Sequence, residues 1–146
     1  MSSDAEESEG ISRSLGEIAN GDGRYAPQAY HFLMEALTYT QELFEKDLDC
    51  QTEEERHVTG QQLCEGIRRF ALDQFGYVAK AVLEEWGIYR TDDLGEMVYL
   101  LIQHQLMAKR DSDSIGDFHN VYGFDTAFED VFIAKEPKRD RARRRP

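Results

Sequence analysis

From residue 25 to residue 106 the apolar side chains recur three and four positions apart, the spacing of helices that each bury one face. Ile11, Leu15 and Ile18 predict a short first helix, closed by the NGDG turn at 20 to 23. A second helix is expected near Pro27, a residue suited to the first helical turn because the N–H it lacks would have had no partner there. Leu33, Ala36, Leu37, Thr40 and Phe44 form its predicted buried face, with His31, Glu35, Glu42 and Lys46 turned elsewhere. The acidic segment 47 to 56 reads as a loop.

The stretch HVTGQQLCEGIRRFALDQFG, residues 57 to 76, is the most patterned in the chain. Thr59 and Gln62 have the spacing of a capping box, which leaves His57 just outside the helix. Leu63, Ile67, Phe70, Ala71 and Gln74 follow at helical spacing, and Gly76 ends the run. Gly66 inside a helix costs about 1 kcal/mol relative to alanine, and a tightly crossing neighbour is a reason to keep it. Residues 77 to 86 predict another helix, with Val78, Val82 and Trp86 on one side and Gly87 as its stop. Thr91 is the expected N-cap of the next helix, and Asp92 and Asp93 complement the positive end of its dipole. Its buried stripe is Leu94, Met97, Val98, Leu101 and Ile102.

After Leu106 the periodicity stops. LMAK, the polar DSDSIGD and FHNVYGF predict a small C-terminal β-hairpin or an irregular cap, attached through Phe118, Tyr122, Phe124, Phe128 and Phe132. The fold class is therefore mainly α, a single helical domain. The order of helices followed by a turn also has the outline of a winged-helix domain. The helix from 92 to 105 carries Asp92, Asp93 and Glu96 and no Lys or Arg, so a winged domain of this kind would recognise protein instead of DNA.

Composition sets the domain limits. The chain has 146 residues, 40% hydrophobic and 32% charged, with eight Phe, seven Tyr and one Trp between Tyr25 and Phe132, enough apolar material for one folded domain. Residues 1–10 are expected to be a disordered acidic arm, 11–134 the helical domain, and 135–146 a disordered basic tail. That tail, KEPKRDRARRRP, carries seven cations and two acids, so the net charge of −12 leaves −17 for the rest. Such a body repels phosphate backbones, and nucleic-acid contact would have to come from Lys138, Arg139, Arg141, Arg143, Arg144 and Arg145. Neutralising about five phosphates would give a log–log salt slope of roughly −4 to −5.

Little else in the sequence carries chemistry. Cys50 and Cys64 form no CxxC pair, so neither a disulfide framework nor a cysteine-rich zinc site is indicated. The first ten residues are acidic where a signal peptide is basic, and no apolar run approaches a membrane span; the expected compartment is cytoplasmic. His57 and Cys64 lack further ligands at a metal-site spacing and read as architecture. DSDSIGDFHNVY matches a calcium loop at Asp111, Asp113 and Gly116, but has Ile115 and Tyr122 where oxygen ligands are required. Glu84–Glu85 and Asp92–Asp93 are adjacent on helices and so point apart. His31, His104 and His119 have no motif that joins them, and neither GxxxxGK[ST] nor GxGxxG occurs.

The runs HVTGQQLCEGIRRFALDQFG, VLEEWGIYRTDDLGEMVYLLI and FHNVYGFDTAF, with YAPQAYHFLMEALTYT before them, resemble a family of small uncharacterised proteins found chiefly in planctomycete and verrucomicrobial bacteria. The resemblance covers roughly residues 25 to 128 and implies no activity, cofactor or site residue. The expected function is accordingly a non-catalytic protein-interaction module with an acidic surface, binding a protein partner without cofactor, metal or membrane. The alternative is an RNA- or DNA-associated factor that uses the basic tail.

Overall fold

The computed structural model describes residues 2–44, 57–109 and 113–129, with side chains from residue 10 onward. Among the described residues, five α-helices follow in order: α1 (Ser2–Asp22), α2 (Pro27–Leu43), α3 (Gly60–Phe75), α4 (Ala79–Glu85) and α5 (Thr91–Gln103). A 3-10 turn at Gly76–Val78 joins α3 to α4, a second covers Ile115–Phe118, and a π turn closes the described chain at Asp125–Glu129. The mainly helical expectation holds. No strand occurs among the described residues, so the predicted β-hairpin, and with it the wing of a winged helix, is replaced there by irregular turns. The aromatic residues 118 to 128 can cover the helices without pairing into a ladder, because Phe118, Phe124 and Phe128 are buried as single plugs. Phe124 and Phe128 meet edge to face at 5.0 Å.

The first helix reaches back to Ser2, through the segment expected to be an acidic arm. Leu15, Ile18 and Ala19 bury its inner face, while Ile11 is exposed. Pro27 opens α2 after an extended Ala26, as its missing N–H predicts. Leu33, Ala36 and Thr40 are buried, but Phe44 lies beyond the packed length of α2 and is exposed. The α3 stripe is Leu63, Cys64, Ile67 and Ala71, with Gln74 outside it. In α4 the predicted face is rotated. Ala79 and Leu83 are buried whereas Val78 is exposed, because Val78 belongs to the 3-10 turn and helical phase starts only after it. Of the predicted α5 stripe, Leu94, Met97, Val98 and Leu101 are buried, while Ile102 is only half-buried.

Helices α2 and α3 cross at close range. A Cβ on Gly66 would lie 2.7 Å from Thr40 Cβ and 2.8 Å from Thr40 Cγ2, so the glycine is what lets the two backbones approach. Thr40 is fully buried, and its Oγ1 donates to the Ala36 carbonyl at 2.6 Å, which satisfies a hydroxyl that could not otherwise sit at a helix crossing. At the other end, α5 presents Gly95 to Phe118, whose Cβ would stand 2.7 Å from an added Cβ. Phe118 thereby seats directly on the backbone.

Candidate functional site

A half-open cavity of about 430 Å³ lies between α2, α3, α5 and the turn that carries Phe118. Leu37, Leu63, Val98, Ile102 and Phe118 supply apolar walls, and the volume falls within the range of small-ligand sites. Its polar edge comes from the two segments read separately in the sequence as a helix entry and a failed calcium loop. His57, two residues before the α3 cap Thr59, faces Asp113, which precedes Ser114, the cap of the Ile115–Phe118 turn.

Caps at both ends position this pair. Thr59 Oγ1 accepts from Gln62 N at 3.0 Å, and Gln62 Oε1 accepts from Thr59 N at 3.0 Å, the reciprocal arrangement the sequence predicted. Across the cavity, Ser114 Oγ accepts from Gly116 N at 3.1 Å and Asp117 Oδ2 accepts from Ser114 N at 3.0 Å. Each box fixes the backbone two or fewer residues from the side chain it presents. His57 Nε2 then stands 2.8 Å from Asp113 Oδ2, with the His57 side chain 10% exposed and that of Asp113 22% exposed. The approach is at ion-pair distance but out of line for a ring N–H hydrogen bond, so the buried Nε2 has no aligned partner.

Sequence reasoning gave His57 no role; the structure places it against Asp113 in the cavity lining. The pairing joins residues 56 positions apart through tertiary packing, and neither segment has a spacing that announces the other. Asp113 was weighed only as a calcium ligand, and the cluster that such a site needs is absent among the described residues. A His–Asp pair holds a base in place, but a nucleophile must stand beside it for covalent chemistry. Cys64 is not in the cavity lining; burial pushes its thiol up to about 12, which keeps it protonated and inert. Ser114 Oγ is committed to its turn.

The remaining described candidates do not line the cavity. Asp92 and Asp93 diverge: Asp92 accepts from Asn120 N at 3.0 Å and pairs with His119 Nδ1 at 2.8 Å, which holds its carboxyl below the usual range. Asp93 accepts from Tyr89 N, Arg90 N and the Tyr25 hydroxyl, the last at 2.8 Å. Both carboxylates are engaged in hydrogen bonds at the start of α5. Thr91 is not the N-cap; it is the first helical residue, fully buried, and its Oγ1 accepts from Val121 N at 3.0 Å. Glu84 shares Lys80 with Asp125 and Glu129, an ion network that ties the π turn to α4. His31 and His104 are exposed and enter no described site. Lys138, Arg139, Arg141, Arg143, Arg144 and Arg145 lie outside the described residues, as do Cys50, Asp111 and Phe132. No described helix is long and apolar enough to cross a membrane.

No protein-family model, curated protein or solved structure matches the chain.

Proposed function

We propose that this chain is a non-catalytic, cytoplasmic protein-interaction module whose acidic body recognises a basic protein partner. The supporting observation is the charge distribution, −17 outside residues 135–146 against +5 within them. Exposed Glu35, Glu42 and Asp73 lie on the outer faces of α2 and α3, away from internal ion pairing with the described core. A field of one sign accelerates encounter with a partner of the other sign and penalises like-charged competitors. The kinship with the planctomycete and verrucomicrobial family belongs to the same proposal and assigns no activity.

The tail supports a second reading, an RNA- or DNA-associated factor acting through Lys138, Arg139, Arg141, Arg143, Arg144 and Arg145. Affinity capture from lysate separates the two, using the full chain and residues 1–134, each with and without nuclease. A basic protein that survives both nuclease and tail removal, and is released by added salt, supports the acidic-body reading. Loss of the bound material on either treatment refutes it and transfers function to the tail.

A further inference from the structure

We propose that the outer seam of α2, α3 and the end of α4 is the docking surface for the chain's own basic tail, residues 135–146, with arginine side chains stacked on its rings and paired with its carboxylates. The proposal concerns the isolated chain and goes beyond recognition of an outside partner. Three observations carry it.

The first is a line of rings. Tyr39 and Phe70 have centroids 5.1 Å apart, Phe70 meets Phe32 at 5.1 Å, and Phe32 meets Phe75 at 5.7 Å and Trp86 at 5.5 Å. Phe32 is buried beneath the line, while Tyr39, Phe70, Phe75 and Trp86 keep part of their surface in solvent. A ring face attracts a cation, and a guanidinium, planar and weakly hydrated, stacks on it more readily than an ammonium.

The second is charge beside the rings. Glu35 follows Phe32 by three positions and precedes Tyr39 by four, and Asp73 follows Phe70 by three, so each helix sets an exposed carboxylate next to its rings. Glu35 has no cationic partner among the described residues, and Asp73 accepts from the neighbouring Gln74 Nε2 at 3.4 Å. Arg68 and Arg69, the cations of α3, are both held by Glu65, at 2.6 and 2.8 Å. The seam therefore combines aromatic faces with uncompensated carboxylates, which an arginine satisfies and an anion does not.

The third is reach. The described chain ends at Glu129, whose Oε1 stands 3.8 Å from Lys80 Nζ on α4. Trp86 lies six residues beyond Lys80, roughly 9 Å along the helix. The ten residues from Glu129 to Arg139 extend to about 33 Å, enough to carry the arginines over the seam. Residues 135–146 hold Arg139, Arg141, Arg143, Arg144 and Arg145, with a local charge of +5 against −17 elsewhere. Tethering raises their concentration at the seam to about the millimolar range, so individually weak contacts suffice for occupancy. A docked tail covers carboxylates that a basic partner would use, which makes it a built-in competitor.

The test places a nitroxide label at the end of the full chain through Pro146→Cys with Cys50→Ser; Cys64 is buried and stays unlabelled. Amide signals of Glu35, Tyr39, Phe70 and Asp73 are expected to broaden selectively. The broadening should vanish near about 1 M salt, where the screening length falls to about 3 Å. It should also vanish when the five tail arginines are replaced by serine, and weaken in a Glu35→Gln, Asp73→Asn variant. Trp86 is the only tryptophan, so acrylamide quenching of its emission should rise with the same changes. No broadening, uniform broadening over the whole surface, or broadening indifferent to the arginine replacement overturns the proposal. Broadening that passes between chains in a mixture of spin-labelled and isotope-labelled protein also overturns it, because the occupant is then a second copy. The measurement uses the isolated chain, so its failure leaves lysate capture by the acidic body standing.

Discussion

Replacing Gly66 with alanine sets two effects of opposite sign against each other. In an isolated helix the change stabilises by about 1 kcal/mol, because alanine loses less backbone freedom than glycine. In this structure the new methyl would lie 2.7 Å from Thr40 Cβ and 2.8 Å from Thr40 Cγ2, with Thr40 Oγ1 also within clash distance. Rotating Thr40 gives no relief, since its Cβ is itself too close and its hydroxyl is held by the Ala36 carbonyl. The helices must separate, and forced overpacking of this kind costs about 3 kcal/mol. The net expectation is a loss of about 2 kcal/mol, or roughly 8 °C in Tm for a domain of this size. Thermal unfolding followed by circular dichroism, with calorimetry to check two-state behaviour, measures it. Thr40→Ala should recover part of the penalty in the double variant, since it removes two of the three colliding atoms, and the two changes should be non-additive. A Gly66→Ala protein with a raised Tm, or a double variant showing simple additivity, would refute the close-crossing argument.

Other expectations follow from the caps, the buried hydroxyl and the buried acids. Thr59→Ala removes the side-chain half of the α3 cap and should cost about 1 kcal/mol, read as a lower urea midpoint with unchanged slope. Tyr30 is fully buried and its hydroxyl has no hydrogen-bond partner among the described residues, so Tyr30→Phe should leave stability unchanged or raise it by up to about 1 kcal/mol; a marked loss in the same urea titration would reveal a partner. Burial pushes Cys64 and Tyr30 each up to about 12, and raises Tyr122 and, with its bond to Asp93, Tyr25. In the unfolded chain these groups release protons from their ordinary values of 9.0 and 10.0, so above pH 9 the unfolded state binds fewer protons than the native one and stability must fall as pH rises toward 12. Urea midpoints that stay level from pH 8.5 to about 11 would contradict the burial of these groups.

The helices themselves were legible because their causes are local. Pro27 opens α2, Thr59 and Gln62 cap α3, and the 3.6-residue recurrence of Leu94, Met97, Val98 and Leu101 marks the buried face of α5. Each of these signals lies within one or two turns of the residue it governs. Even Gly66 announced a close neighbour, since a helix keeps so unfavourable a residue only where something presses against it, though the sequence could not say that the neighbour was Thr40. The errors arose where phase or pairing is set from farther away. Val78 belongs to a 3-10 turn that shifts the register of α4, and Thr91 turns inward to receive Val121 N from a segment 30 residues later. The aromatic segment from Phe118 to Phe128 has the composition of strands, but burial of its rings as separate plugs on the helices removes any need for a ladder. The cavity is the furthest from legible. His57 and Asp113 come together because two capped segments from different parts of the chain pack over the same apolar walls, and a pattern read along one dimension holds no record of that contact.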